Sequence, residues 1–180
     1  MSAKLAVTLN ALALYAISGV LAFAFYWQFA YSELPCPLCL LQRVAFCALA
    51  VGPILAIRHG PKPQYYGLVI LAALLGAIIS SRQMLLHILP GDAGFGSPFL
   101  GAHFYTWAFV AFVVAILAAA VMLAIGQRQF EVVRPPATTA FERSAIWVVL
   151  GLTMLNALSV FLECGLSACP SNPVHYQLLG

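Results

Sequence analysis

Five long stretches of this chain are apolar and almost free of charge, at about residues 5–32, 40–57, 67–89, 104–125 and 145–162. A helix needs roughly 20 such residues to cross a bilayer, and a backbone in hydrocarbon has to satisfy its own hydrogen bonds, which helices do. The chain is therefore expected to be all-α, a polytopic membrane helical bundle, with residues 1–180 forming one integral membrane domain. Composition agrees, with 63% hydrophobic residues, 7% charged residues and a mean hydropathy of +0.99. The net charge of +3 comes from eight basic residues scattered between the apolar runs. That scatter argues against a nucleic-acid partner, which would want them on one face, and leaves membrane lipid as the surrounding partner.

The basic residues instead report topology. Lys4 precedes the first run; Arg58, His59 and Lys62 cluster with Gly60, Pro61 and Pro63 after the second; Arg128, Arg134 and Arg143, with Glu131, Glu142 and Pro135-Pro136, separate the fourth from the fifth. The positive-inside rule places all three in the cytoplasm. A cleaved signal peptide competes for the first run, since Ala22-Phe23-Ala24 resembles a cleavage site, but the run is long for a signal core. Tyr65, Tyr66, Trp107 and Trp147 suit the membrane interfaces. Pro53 is expected to kink the second crossing near its end.

Five cysteines occur, and four form two close pairs, Cys36 with Cys39 and Cys164 with Cys169. Five crossings deliver both pairs to one face; four would separate them by a bilayer. Cys47, in mid-run, reads as a small buried hydrophobe. Close pairing suits an oxidising or exchange-active compartment. In Pro35-Cys36-Pro37-Leu38-Cys39-Leu40-Leu41-Gln42-Arg43, proline marks a helix start, and unpaired N–H groups there favour a thiolate. Arg43 lies four residues beyond Cys39, on the same helical face, where it can stabilise that thiolate or the oxygen of an electron acceptor; the plainer alternative is a closed disulfide with Arg43 snorkelling to head groups.

Cys164 and Cys169 bracket Gly165 in an exposed tail, residues 163–180, either as an exchange-active pair or as a structural staple. Glu163 and His175 beside them read as surface residues. His87, near the cysteine-bearing end, is a candidate ligand-binding residue; Arg82 more readily pairs with a head group or a carbonyl. Leu89 to His103, rich in glycine and proline, reads as a loop. One Cys-x-x-Cys with a distant pair is weak support for zinc, and no metal site is expected.

The cysteine motif with its arginine, at the start of the second of several spans, resembles the disulfide bond formation protein B (DsbB) family of bacterial inner-membrane thiol oxidases, over residues 10 to 125. The resemblance implies a four-helix core, here with a fifth transmembrane helix added. It implies that Cys36 and Cys39 form a quinone-linked pair, with Cys39 beside a ubiquinone or menaquinone ring, Arg43 in contact with it and His87 matching a family histidine. It also implies an electron-donating partner, a periplasmic thioredoxin-like, DsbA-like dithiol protein. Family members carry a second cysteine pair between spans three and four, but Leu89 to His103 has none. Cys164 and Cys169 are the candidates to replace it. A vitamin K epoxide reductase-like protein would place its motif late in the chain, the reverse of this order. A small membrane carrier of soft metal ions would distribute its thiols along a path through the bilayer.

Overall fold

Long apolar runs become long helices. In the computed structural model, which describes residues 2–126, 130 and 137–179, the elements are α1 (Ala3–Ala30), α2 (Pro37–Leu49), α3 (Val51–His59), α4 (Pro63–Leu86), α5 (Phe104–Ile125) and α6 (Ala140–Cys164). α2 and α3 together make one crossing, so among the described residues five stretches are long and apolar enough to span a membrane. Arg128, Glu131 and Arg134, three of the charges used to assign topology, lie outside the described residues.

Local chemistry sets the helix limits more than hydropathy does. Pro37 stands in the first turn of α2, where its missing N–H costs nothing, and Cys36 caps that helix by accepting the Cys39 N–H at 3.1 Å. α6 begins at Ala140, before the apolar run, because Glu142 accepts both the backbone N–H and the hydroxyl of Thr139. Pro53 does more than kink its crossing. It has no N–H to offer the Leu49 carbonyl, and the path divides at Ala50 into two helices. α1 runs unbroken through Ala22–Ala24.

α1 and α6 lie side by side in the same direction. At one end, Glu142 of α6 meets Lys4 and Thr8 of α1; toward the other, Gln28 of α1 bonds Ser159 of α6. Both cysteine pairs consequently stand at the same end of the bundle. Some of the polar groups inside are matched across helices: Asn10 donates to the Tyr66 hydroxyl at 3.0 Å, joining α1 to α4. α4 and α5 are held close by a small residue, Gly76, beneath the ring of Phe112, which stacks on Phe46 of α2 with centroids 4.2 Å apart. Outward faces are apolar, with Leu71, Ile78, Trp147 and Met154 exposed, as suits lipid.

A Cβ at position 76 would collide with the Phe112 ring. Gly76→Ala is expected to cost about 1–3 kcal/mol by overpacking, read as a lower unfolding midpoint of the purified protein in detergent. An unchanged midpoint would mean that the ring is not seated against α4.

Candidate active site

The site is built where α1 ends, α2 begins, α4 ends and α5 begins. Cys36 and Cys39 are joined as a disulfide, with their Cα atoms 5.0 Å apart, across the first turn of α2. Cys36 is buried and Cys39 half-buried. Gln83 of α4 approaches the bond from the side, its Nε2 donating to Cys36 Sγ at 3.2 Å and to Cys39 Sγ at 3.5 Å. Its carbonyl end is held by Gln42 Nε2 at 2.8 Å, which fixes the orientation of the amide. A donor aimed at both sulfurs favours whichever carries negative charge.

Arg43 turns inward instead of snorkelling. Its Nη1 donates to Gln28 Oε1 at 2.6 Å and its Nη2 to the Ala24 carbonyl at 3.1 Å, with the guanidinium 4.9 Å from the centroid of Phe25. Only 8% of the residue remains exposed. Such an arginine inside a membrane helix marks a functional site by default.

A cavity of about 400 Å³ opens beside these groups. Cys39, Gln42 and Arg43 form its polar wall, and the rings of Phe23, Trp27, Phe99 and Phe104 form much of the remainder. An aromatic slot with a fixed cation and a sulfur on one wall matches the usual make-up of a small-molecule site. It suits a flat ring bearing carbonyl oxygens: the rings offer stacking faces and Arg43 offers donors.

The loop after α4 closes the cavity from above. Phe95, Gly96 and Phe99 line it, and Glu33, three residues before Cys36, accepts from both the backbone N–H and the hydroxyl of Ser97. Trp107 Nε1 pins the same loop through the Phe99 carbonyl at 2.9 Å. Gly94, at φ +71°, passes directly over the His103 ring, where a side chain would not fit. His87 is not on the cavity wall. Its Nδ1 lies 3.0 Å from Asp92 and its ring stacks on Tyr105, which does line the cavity. The Gly94 N–H, with His87, holds the Asp92 carboxyl below the usual carboxylate range.

The tail pair is placed differently from its sequence reading. Cys164 is the last residue of α6 and buried, and Cys169, bonded to it, is half-buried. Gly165, at φ +62°, ends the helix, and the tail folds back: Gln177 and Leu178 donate to the carbonyls of Glu163 and Leu162. Glu163 is fully buried, not a surface residue, whereas His175 is exposed. The tail cysteines do not line the cavity; α6 and the tail reach it through Gln28, whose Nε2 donates to Ser159 and Tyr176 while its Oε1 accepts from Arg43. Cys47 is a free thiol among the bundle helices.

Sequence reasoning missed Gln83, Gln28 and Glu33. Gln83 was visible as a break in an apolar run, a polar residue that hydrocarbon would not otherwise carry. Among the described residues, no three His, Cys, Asp or Glu side chains converge as a metal site.

Comparison with known proteins accounts for the first pair and stops short of the second. A model of the family "Disulfide bond formation protein DsbB" matches residues 6–98, that is α1 to α4 and most of the covering loop. Among curated relatives, the disulfide bond formation protein B of Chromobacterium violaceum is 40% identical over 100 residues, 51% of this chain and 60% of that protein. Its namesake in Nitrosomonas eutropha is 38% identical over 79 residues, 42% of this chain and 49% of that protein. The one in Xanthomonas axonopodis pv. citri is 42% identical over 82 residues, 43% and 48% of the two chains. The matches thus span about half to three-fifths of these relatives' length. No solved structure matches the chain. The matched segment is more than half of this sequence and contains the whole Cys36–Arg43 motif: the chain belongs to the disulfide bond formation protein B family.

Proposed function

We propose that this protein is a membrane thiol:quinone oxidoreductase that supports disulfide bond formation by reoxidising a periplasmic thioredoxin-like, DsbA-like dithiol protein. The observation that carries this reading is the cavity wall: one sulfur of a disulfide and a buried, oriented arginine face the same aromatic slot. With the basic turns in the cytoplasm, both cysteine pairs stand on the periplasmic side of a bacterial inner membrane.

A bound quinone, ubiquinone or menaquinone, supplies a two-electron acceptor that also takes up two protons. Arg43 orients it from the wall, and the Glu33–Ser97 contact keeps the loop over it and water out. Cys39 is the sulfur adjacent to the cavity. Cys36, the residue that caps α2, is the sulfur left for exchange. His87 acts from behind Tyr105, by bracing that ring. Electrons arrive through the tail: a partner dithiol breaks the Cys164–Cys169 bond, the partner's own disulfide forms, and two thiols remain in the tail. Exchange of these thiols with Cys36–Cys39 re-forms the tail bond and reduces the motif pair. The two electrons and two protons of the motif pair leave by way of the cavity as its bond closes again. The placement of both pairs at one end of the bundle supports the relay, and nothing in that placement favours a metal carrier.

Two variants test the parts separately. Cys164→Ala is expected to abolish oxidation of the partner while dithiothreitol still reduces a soluble short-chain benzoquinone through Cys36 and Cys39. Undiminished partner oxidation would remove the tail pair from the relay. Arg43→Ala is expected to raise the Michaelis constant for that benzoquinone by about tenfold or more, the equivalent of one charge-assisted hydrogen bond, with both disulfides still formed. A quinone dependence equal to that of the parent protein would take Arg43 out of the site.

A further inference from the structure

The inward face of α6 is polar. Asn156, Ser159 and Glu163 follow one another at intervals of three and four residues, which stacks side chains along one helix face, and all three are buried. In a membrane helix such a stripe faces partners within the bundle. Ser159 is two hydrogen bonds from Arg43, by way of the Gln28 amide. One turn further along, Glu163 is 0% exposed, and neither of its carboxylate oxygens has a hydrogen-bond partner among the described residues.

Arg43, for its part, is a buried cation whose bonds go to neutral oxygens, those of Gln28 and Ala24. An isolated buried charge of either sign costs several kcal/mol, and a mutual pair offsets much of this. Among the described residues they form no direct ion pair; the route between them runs from Ser159, one turn before Glu163, through the Gln28 amide to Arg43. The folded-back tail covers this turn of α6, since the Gln177 N–H donates to the Glu163 backbone carbonyl and the Tyr176 hydroxyl shares the Gln28 amide with Ser159.

We propose that Glu163 is the counter-ion of Arg43, a positioning residue that the fifth crossing brings to the cavity-side arginine and that acts through the Gln28 amide. The inference rests on the thiol:quinone reading for its functional consequence, but the charge pairing stands apart from it. α6 would then be more than a tether that carries the tail across the membrane. It completes the electrostatics of a site whose other residues belong to α1, α2, α4 and α5.

The test is a double-mutant cycle on the full chain in detergent, with Glu163→Gln, Arg43→Met and both together, read by unfolding midpoint and by steady-state reduction of a soluble short-chain benzoquinone with dithiothreitol. Glu163→Gln alone is expected to lower the midpoint and to raise the benzoquinone Michaelis constant about fivefold or more, with kcat changed less. In the Arg43→Met background the same substitution is expected to restore part of the lost midpoint. If Glu163→Gln alone does not fold but the double variant does, that rescue supports the pairing most directly. Equal losses of midpoint in both backgrounds, or failure of the double variant to fold, would show that Glu163 acts independently of Arg43 and overturn the proposal. Absence of quinone reduction by the parent protein would defeat the functional reading instead, and the midpoints would still decide the pairing.

Discussion

A guanidinium in hydrocarbon has to be met by acceptors that the protein itself supplies, and here Gln28 meets Arg43 at 2.6 Å. That bond ties the end of α1 to the beginning of α2 and so fixes the cysteine-bearing turn against the cavity. The other end of the same amide reaches α6 and the tail. One side chain thus saturates both its oxygen and its nitrogen in joining three parts of the chain. A second glutamine does the corresponding work on the far side, where Gln83 spans from Gln42 to the two sulfurs. Uncharged amides are well suited to this setting: each offers donor and acceptor together at a smaller desolvation cost than an ion.

The family match ends in the covering loop, short of both α5 and α6. Residues 6–98 hold the motif, Arg43, both glutamines and the part of the covering loop fastened by Glu33. α6 lies beyond that segment and is packed chiefly on α1, parallel to it. The packing of Gly76 beneath Phe112 involves α4, α5 and α2 and no residue of α6. The crossing reaches Arg43 through the Gln28 amide of α1.

The five crossings, the two cysteine pairs and Arg43 were legible because each depends on local spacing or on the cost of charge in lipid. The limits of the helices were less so: α6 starts before its apolar run through the Thr139–Glu142 contacts and continues to Cys164 until Gly165 ends it. Glu163 looked like a surface residue because it follows the last apolar position, yet the folded-back tail covers it. His87 looked like a wall residue because it stands at the right depth, but Tyr105 intervenes. Gln28 and Gln83 could be noticed as polar residues in apolar helices, but their partners lie on other helices, and no periodicity names them. The cavity itself belongs jointly to three helices, α1, α2 and α5, and the loops before α2 and before α5, and such a feature has no signature along the chain.

The tail disulfide presents its two sulfurs unequally, with Cys164 sealed against the bundle and Cys169 half open to the outside. A thiolate attacks a disulfide in line with the bond, and which sulfur it reaches decides which one departs. Under the proposed relay the partner's thiolate meets Cys169, the more accessible sulfur, so that the leaving sulfur is the inner one and the mixed disulfide forms on the outer residue. Unequal burial of one covalent bond in this way gives a symmetric chemical group a direction of travel.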